Sequence, residues 1–446
     1  MPNRIALNQP WPNIAQSDAL WSRAAGLIPA GTQTLAKGPG QYVRGVAPKY
    51  LVSGRGAHVR DVDGNQYLDM NMAIGPLILG YADRAVDDAI RSQLEDGITF
   101  SLMHPLEVEL AELVREVVPN AESVRFTKSG ADATSAAVRV ARAFTRRERV
   151  LCCGYHGWHD WYIGITDRAA GIPERVRELT NTFPYNDADA LEDALDDEVA
   201  CVILEPMTFE EPKPGFLERV RELTARAGAL LVFDEMWTGF RFALGGAQQR
   251  FGVVPDLATF SKAIANGMPL AVLTGRADVM RLLEHDVFFF TTFGGEALSL
   301  AAAMATIREL RARQVPEQLE RVGRTIANGY ARIAQDLGVD GWTRCVGHPS
   351  RTLVTFDESA GPPLLLKSLM QQELLRHGVL WSGTNTLSAA HGPHDVEHLL
   401  SAYAESLRVL RDAVASRRVQ DALRGEPVEP VFRRTGGFDL RPRVRA

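Results

Sequence analysis

Three short segments carry residue types that could do chemistry together. In Thr127-Lys128-Ser129-Gly130-Ala131-Asp132, small residues and a hydroxyl precede a helix-like stretch over 132–144. Such a helix start offers unpaired backbone N–H groups and the positive end of a helix dipole, which suits a phosphate. The plainer reading of Ser129 is a helix cap. In ALLVFDE (229–235), Asp234 closes an apolar run. A carboxylate at a buried strand end is costly unless paired. A protonated ring nitrogen would pair it, and so would an arginine such as Arg241. Glu205 closes CVILEP (201–206) in the same way. In ATFSKAIANGMPL, Lys262 follows another short apolar run. Desolvated, its amine could form a Schiff base; otherwise it is a solvated loop lysine.

Lysine is scarce here. Of 49 basic residues only Lys37, Lys49, Lys128, Lys213, Lys262 and Lys367 are lysine, which narrows the list of amine nucleophiles. A phosphate cup, a carboxylate for a ring nitrogen and an amine, in that order, are what a protein contributes to pyridoxal phosphate (PLP) chemistry.

These residues need a scaffold that brings distant strand ends together. VLCC (150–153), CVILEP, ALLVFDE, LATF (257–260) and AVLTG (271–275) read as buried strands. The amphipathic stretches 131–144 and 215–228 lie between them. Strands alternating with helices indicate an α/β fold with a largely parallel sheet. Residues 50–70 read instead as a β-meander with an Asp63-Gly64 turn. A long helix is expected over 321–338. The resulting division is 1–70 as an N-terminal segment, 71–320 as a large α/β domain and 321–446 as a C-terminal domain. The two terminal parts would form one small α+β lobe. The tail from 411 carries nine arginines and reads as a surface arm.

Composition narrows the function. With 46% hydrophobic and 23% charged residues, the 446-residue chain is not disordered or fibrous. A net charge of -6 argues against non-specific nucleic-acid or membrane-surface binding. Cys152, Cys153, Cys201 and Cys345 form no C-x-x-C pair or zinc spacing and read as free thiols. The absence of a signal-like start and of any span-length apolar run points to the cytoplasm. No nucleotide-binding loop is present. His391, His394 and His398 read as a charged helix start and not as a metal site, and Asp61 and Asp63 as turn residues.

The segments VRFTKSGADATSAAVRVARAF, GYHGWHDW, CVILEP, LLVFDEMWTGFR, SKAIANGMPLAVLTG and TTFGGEALSLAAA occur in an order that resembles the class III (fold type I) PLP-dependent aminotransferases. The closest likeness is to the glutamate-1-semialdehyde 2,1-aminomutase-like branch, over about residues 27–400. The resemblance implies the following roles. Lys262 would hold the cofactor and shuttle protons. Asp234 would pair with the pyridinium nitrogen. Tyr155 would stack on one ring face and Met236 touch the other. Ser129, Gly130 and Ala131 would bind the phosphate. Glu205 and His156 would support the cofactor through hydrogen bonds. Thr292 would reach the phosphate in a neighbouring subunit, which implies a homodimer with shared sites. The substrates would be small amines and carbonyl compounds. Between half-reactions the amino group would be carried as pyridoxamine phosphate.

The chain departs from that pattern at informative places. Lys128 replaces an asparagine beside the cup. Lys37 stands where aminomutases have a carboxylate-binding arginine, and lysine lacks the bidentate fork. Ile74 stands where they have a tryptophan. Lys37, Ile74 and Trp158 are therefore the expected substrate-side residues. The segment between Tyr155 and Pro184 is shorter than an aminomutase's and matches the loss of a gating lid. The last three departures favour a ping-pong transaminase over an aminomutase; an amino-acid epimerase of the same fold is the other isomerase alternative. A non-catalytic scaffold is disfavoured by the retention of Lys262.

Overall fold

The computed structural model describes residues 11–430. They divide into two compact units, 84–317, and 11–83 with 318–430. Of the arginine-rich tail, residues 431–446 lie outside the described residues. The rest holds the end of the helix Pro393–Ala415 and the short helix Val419–Ala422.

The 84–317 unit is built on a seven-stranded sheet. From one edge its strands are Ser123–Thr127, Ala271–Gly275, Leu257–Phe260, Leu230–Asp234, Val199–Leu204, Arg149–Cys153 and Thr180–Thr182. The five strands expected from apolar runs are all present. Ser123–Thr127 and Thr180–Thr182 are additional, and the latter is a short, polar edge strand. Ala271–Gly275 runs antiparallel to both of its neighbours. The other pairings are parallel, in registers such as Val202↔Leu231 and Asp234↔Thr259. Six strands therefore point one way and one is reversed. Every residue of the strands starting at 199, 230, 257 and 271 is buried. This explains their unbroken apolar runs, since strands inside a sheet covered on both faces are shielded from water whichever way they run.

The helix Gly130–Thr145 lies against this sheet. Its small side chains Ala136, Ala137 and Ala141 pack with Cys152, Cys201, Ile203 and Val232. Small residues let the helix backbone approach the strands closely. Burial pushes the Cys153 and Cys201 thiols up to about 12, so they stay neutral and act as packing groups. Truncating Ile203 to Ala would cost about 2–5 kcal/mol.

The topology has one consequence for function. Residues 128, 155, 205, 235 and 261 all follow carboxyl ends of same-direction strands, so these ends emerge along one edge of the sheet. Ligands of open α/β sheets bind at that edge.

In the second unit Leu51–Arg55, His58–Asp61 and Gln66–Asp69 form the expected antiparallel meander. The Asp63 carboxylate accepts the Gln16 and Ser17 amides at 2.7 and 2.9 Å, supporting the first turn of the helix Ala15–Ala25. Val379–Leu380 adds in parallel to Gln66–Asp69. A second antiparallel sheet joins Thr343–Val346, Arg351–Phe356 and Thr384–Thr386. The long helix expected over 321–338 is Val315–Asp336. Met72, Ala73 and Ile74 hold φ values of 45, 53 and 69°. That costly turn is tied down by buried Asp69, which accepts the Asn71 amide at 2.8 Å and the Tyr81 hydroxyl at 2.6 Å. No helix among the described residues is long and apolar enough to cross a membrane.

Candidate active site

The strand Leu230–Asp234 places Asp234 at its carboxyl end. The Asp234 and His156 side chains are 1% and 0% exposed, with His156 Nδ1 2.8 Å from Asp234 Oδ2. A carboxylate only accepts, so Nδ1 carries the proton. Oδ1 accepts the Met236 amide at 3.1 Å. Asp234 is thus held by His156 and the Met236 amide, and not by Arg241. His156 is itself fixed. Its carbonyl accepts the Thr134 hydroxyl at 2.8 Å, and its ring lies edge-on to Tyr162 and stacked on Trp161. Its Nε2 is buried with no hydrogen-bond partner among the described residues.

The cup lies at the start of the 16-residue helix Gly130–Thr145. Ser129 and Asp132 form a reciprocal capping box. The Asp132 amide donates to Ser129 Oγ at 3.2 Å, and the Ser129 amide donates to Asp132 Oδ2 at 3.0 Å. The bland reading of Ser129 is therefore realised, and it leaves the next two amides available. Gly130 and Ala131 N–H have no partner among the described residues. A Cβ at Gly130 would stand 2.7 Å from Met236 Sδ, so only glycine allows this thioether so close to the cup. Free amides at a helix N-terminus are donors for an anion.

Tyr155 and Glu205 are linked by a hydrogen bond. The Tyr155 amide donates to Glu205 Oε1 at 2.8 Å. The preceding Gly154 has φ +110°, and a Cβ there would meet that same oxygen at 2.8 Å. Tyr155 remains 45% exposed, unlike the buried aromatics around it. Burial and then the Asp234 charge push its phenol up, which marks the ring as lying within the field of that carboxylate.

Lys262 follows Leu257–Phe260. Its φ is +45°, an uncommon value for a residue with a side chain. Ser261 Oγ anchors the turn by donating to the Leu270 carbonyl at 2.7 Å. Strained backbone persists only where the surroundings over-determine it. The Lys262 amine lies 4.0 Å from the centroid of the Trp237 ring.

Other expected positions fall elsewhere. Lys128 forms an ion pair with Glu296 at 2.9 Å, so its amine is engaged by a carboxylate. Thr292 is exposed in the turn before the helix Ala297–Ala312. Trp158 is 68% exposed and edge-on to His159. Lys37 is an exposed residue ending the short turn Leu35–Lys37, and Ile74 lies in the strained turn; both belong to the second unit.

Three residues escaped the sequence reading. Trp237 follows Met236, and only its neighbour's role drew attention to that loop. Glu235 is fully buried and accepts the Ala247 and Gln248 amides at 2.8 and 3.0 Å and the Thr238 hydroxyl. Burial pushes its carboxyl up to about 7, against the pull of those bonds. Glu296 caps the helix Ala297–Ala312 through the Leu298 amide at 2.7 Å. Burial pushes the Glu296 carboxyl up, but bonds from Ser299 and Lys128 outweigh it and hold the group below its usual range.

The chain resembles known proteins in sequence and in fold. The family model for class III aminotransferases matches residues 43–347. The chain is 36% identical to a 3-aminobutyryl-CoA aminotransferase from Cloacimonas acidaminovorans, over 88% of this chain and 97% of that protein. It is also 36% identical to a glutamate-1-semialdehyde 2,1-aminomutase from Roseiflexus castenholzii, over 89% and 98%. Among solved structures, the FumI protein of Sphingopyxis sp. MTA144, in its PLP internal aldimine form, superposes with a TM-score of 0.84. The identity is 29%, covering 90% of this chain and 97% of that one. An amine, a carboxylate and a helix N-terminus at one edge of a fold type I sheet, and a family model matching most of the chain, lead to one conclusion: this protein belongs to the class III aminotransferase family.

Proposed function

We propose that this chain is a PLP-dependent aminotransferase that moves an amino group from a small amine donor to an aldehyde, ketone or oxo-acid acceptor by a ping-pong mechanism. The observation that carries the reading is the convergence of Lys262, the His156–Asp234 pair and the free Gly130 and Ala131 amides at one sheet edge. The residues fit the cofactor's three polar groups. The two amides suit its phosphate. Asp234 Oδ1, which accepts one amide, has capacity for a ring N–H. Lys262 Nζ suits its aldehyde. Bound there, PLP supplies an electron sink for the carbon that carries the transferred nitrogen.

The protein's own part is binding, orientation and proton transfer. Lys262 Nζ takes the proton from one substrate carbon and returns it to another position. Asp234 keeps a ring nitrogen protonated, and His156 Nδ1–H holds Asp234 in place. Tyr155 and Met236 confine a flat ring between them. Glu205 fixes Tyr155 through its backbone amide. Trp158, in the same unit as Lys262 and Asp234, is the substrate-side residue of this reading.

The reading includes a homodimer. Thr292 stands in an exposed turn with Phe288, Phe290 and Phe293 exposed close by in sequence. The Ala297 amide bonds the Ile98 carbonyl at 2.9 Å, linking this turn to exposed Ile98, Phe100, Leu102 and Met103. An apolar surface of this kind favours association. Thr292 would then serve the partner's phosphate. Analytical ultracentrifugation checks it: a monomer at micromolar concentration would remove this part of the reading.

The visible spectrum of the purified protein is the direct test. A band should appear with PLP, change on adding an amino donor and be absent in Lys262→Ala. A colourless protein indifferent to PLP would overturn the proposal. The aminomutase-like alternative is supported by the Roseiflexus relative. It requires product to form without a second substrate. Stoichiometric oxo product, dependent on separate donor and acceptor, excludes it.

A further inference from the structure

One side chain in the amine's surroundings has no part in the scheme above. The Lys262 Nζ lies 4.0 Å from the centroid of the Trp237 ring. That is within the range in which an ammonium is attracted to the electron-rich face of an indole, the strongest of the aromatic acceptors. Both partners are half-buried, which strengthens such an attraction by excluding competing water.

Neither partner is free to drift. Trp237 sits in a loop clamped at both sides. The Met236 amide donates to Asp234 Oδ1 at 3.1 Å, and the Gly239 amide donates to the Glu235 carbonyl at 2.8 Å. The Glu235 side chain then holds the Thr238 hydroxyl and the amides of Ala247 and Gln248. On the other side, Lys262 is held at φ +45° between a bonded Ser261 and the short helix Lys262–Ala265. The Glu235 amide donates to the Thr259 carbonyl at 2.9 Å, tying the loop to the strand that leads to Lys262. The indole and the amine are therefore presented to each other by two adjacent, hydrogen-bonded strand ends.

We infer that Trp237 is a positioning residue for Lys262, its indole face holding the lysine ammonium when the amine is not covalently engaged. The consequence for the cofactor rests on the proposed PLP reading. Attack on an aldehyde needs the neutral amine, because only the lone pair forms the carbon–nitrogen bond. The indole favours the charged form, so the proton must leave Nζ for solvent before that bond forms. Trp237 thus parks the amine in a fixed place and slows its entry into reaction near neutral pH.

The scarcity of lysine makes this measurable. The full-length chain, freed of cofactor, is acetylated competitively over a pH series. The Lys262 and Lys213 peptides are then quantified by mass spectrometry, exposed Lys213 serving as the internal reference. In Trp237→Leu the midpoint pH for Lys262 labelling should fall by about half a unit to one unit. Trp237→Phe, which keeps a weaker aromatic face, should lie between. Lys213 should not move in either variant. Unchanged Lys262 midpoints in both variants overturn the inference, as does an equal fall in the two. Thermal unfolding and circular dichroism identify a variant that fails to fold, in which case the Phe variant decides: a midpoint at the wild-type value overturns, a lowered one supports.

The two proposals fail separately. If PLP gives no colour but the midpoints shift, the PLP reading falls and the Trp237 contact stands. If PLP gives colour and the midpoints do not shift, the contact falls and the PLP reading stands. A further readout follows where both hold. The rate at which added PLP develops its visible band at pH 7 should rise in Trp237→Leu by roughly threefold to tenfold, in proportion to the larger neutral fraction of amine.

Discussion

Two acid–base pairs in the 84–317 unit make an instructive contrast. His156–Asp234 sits at the carboxyl end of a central strand, with side chains 0% and 1% exposed. Lys128–Glu296 joins the cup segment to the start of the helix Ala297–Ala312, with side chains 23% and 11% exposed. Both are short and well aligned. Their surroundings differ. The first pair has no water to substitute for a lost partner, and its members carry only a few further bonds. In the second, Glu296 also takes the Leu298 and Ser299 amides and the Ser299 hydroxyl, and Lys128 can turn towards solvent. The lesson is that a similar distance means different things. The strand-end pair fixes an orientation, and the rim pair caps a helix.

The contrast breaks most visibly at Asp234. Asp234→Ala should remove transamination and lower stability by about 3–5 kcal/mol, because it leaves a buried polar ring without its acceptor. Denaturant unfolding checks this, and a midpoint close to the wild type would show that the pair is not structurally closed.

Glu235, next in sequence, gives the next largest effect, and it depends on pH. Its folded carboxyl is pushed up to about 7 by burial, above its usual value of 4.5. The folded state therefore keeps the proton that the unfolded chain releases from about pH 4.5 upwards. Stability contributed by the neutral acid is fully present below pH 4.5 and is lost as the pH rises through about 7. Above about 7 the loss levels off, at roughly 3 kcal/mol. Glu235→Gln cannot ionise. Its stability relative to the wild type should improve between pH 5 and 7.5, although the amide cannot accept all the bonds of the carboxylate. A difference between variant and wild type that stays flat across this range would refute the assignment.

His156→Phe sharpens the contrast from the other side. It removes the donor to a charged acceptor, and the expected loss is about 1.5–3 kcal/mol. Turnover should fall while PLP is still taken up, since neither Lys262 nor the cup is altered. Weakened loading with normal turnover would contradict the positioning role.

Lys128→Asn is the smallest change. A partly exposed ion pair of this type contributes within about 1 kcal/mol. The unfolding midpoint should barely shift, and the shift should shrink further in high salt. A loss as large as that of Asp234→Ala would mean that Lys128 has a role beyond the helix cap.

Much of the central unit was legible because its strands are unbroken apolar runs, the signature of burial on both faces. Thr180–Thr182 was not legible, because a three-residue polar edge strand has no periodicity to read. The reversal of Ala271–Gly275 was not legible either, since an apolar run carries no sign of direction. Lys262 and Asp234 stood out as an amine and a carboxylate at strand ends. Trp237 did not, because nothing in DEMWTG says which way an indole faces. Lys128 stands beside the cup in the sequence, while its partner Glu296 lies 168 positions away.

The sequence by itself determined which strands would be buried, that a capped helix would begin at Ser129, and which family the chain resembles. These follow from local periodicity, capping chemistry and order along the chain. Only the tertiary structure decided that His156, and not Arg241, holds Asp234, that Glu296 claims Lys128, and that Trp237 faces the Lys262 amine. Each of these is a choice between chemically equivalent partners. That choice depends on which strand ends become neighbours in the sheet, and distance along the chain does not encode it.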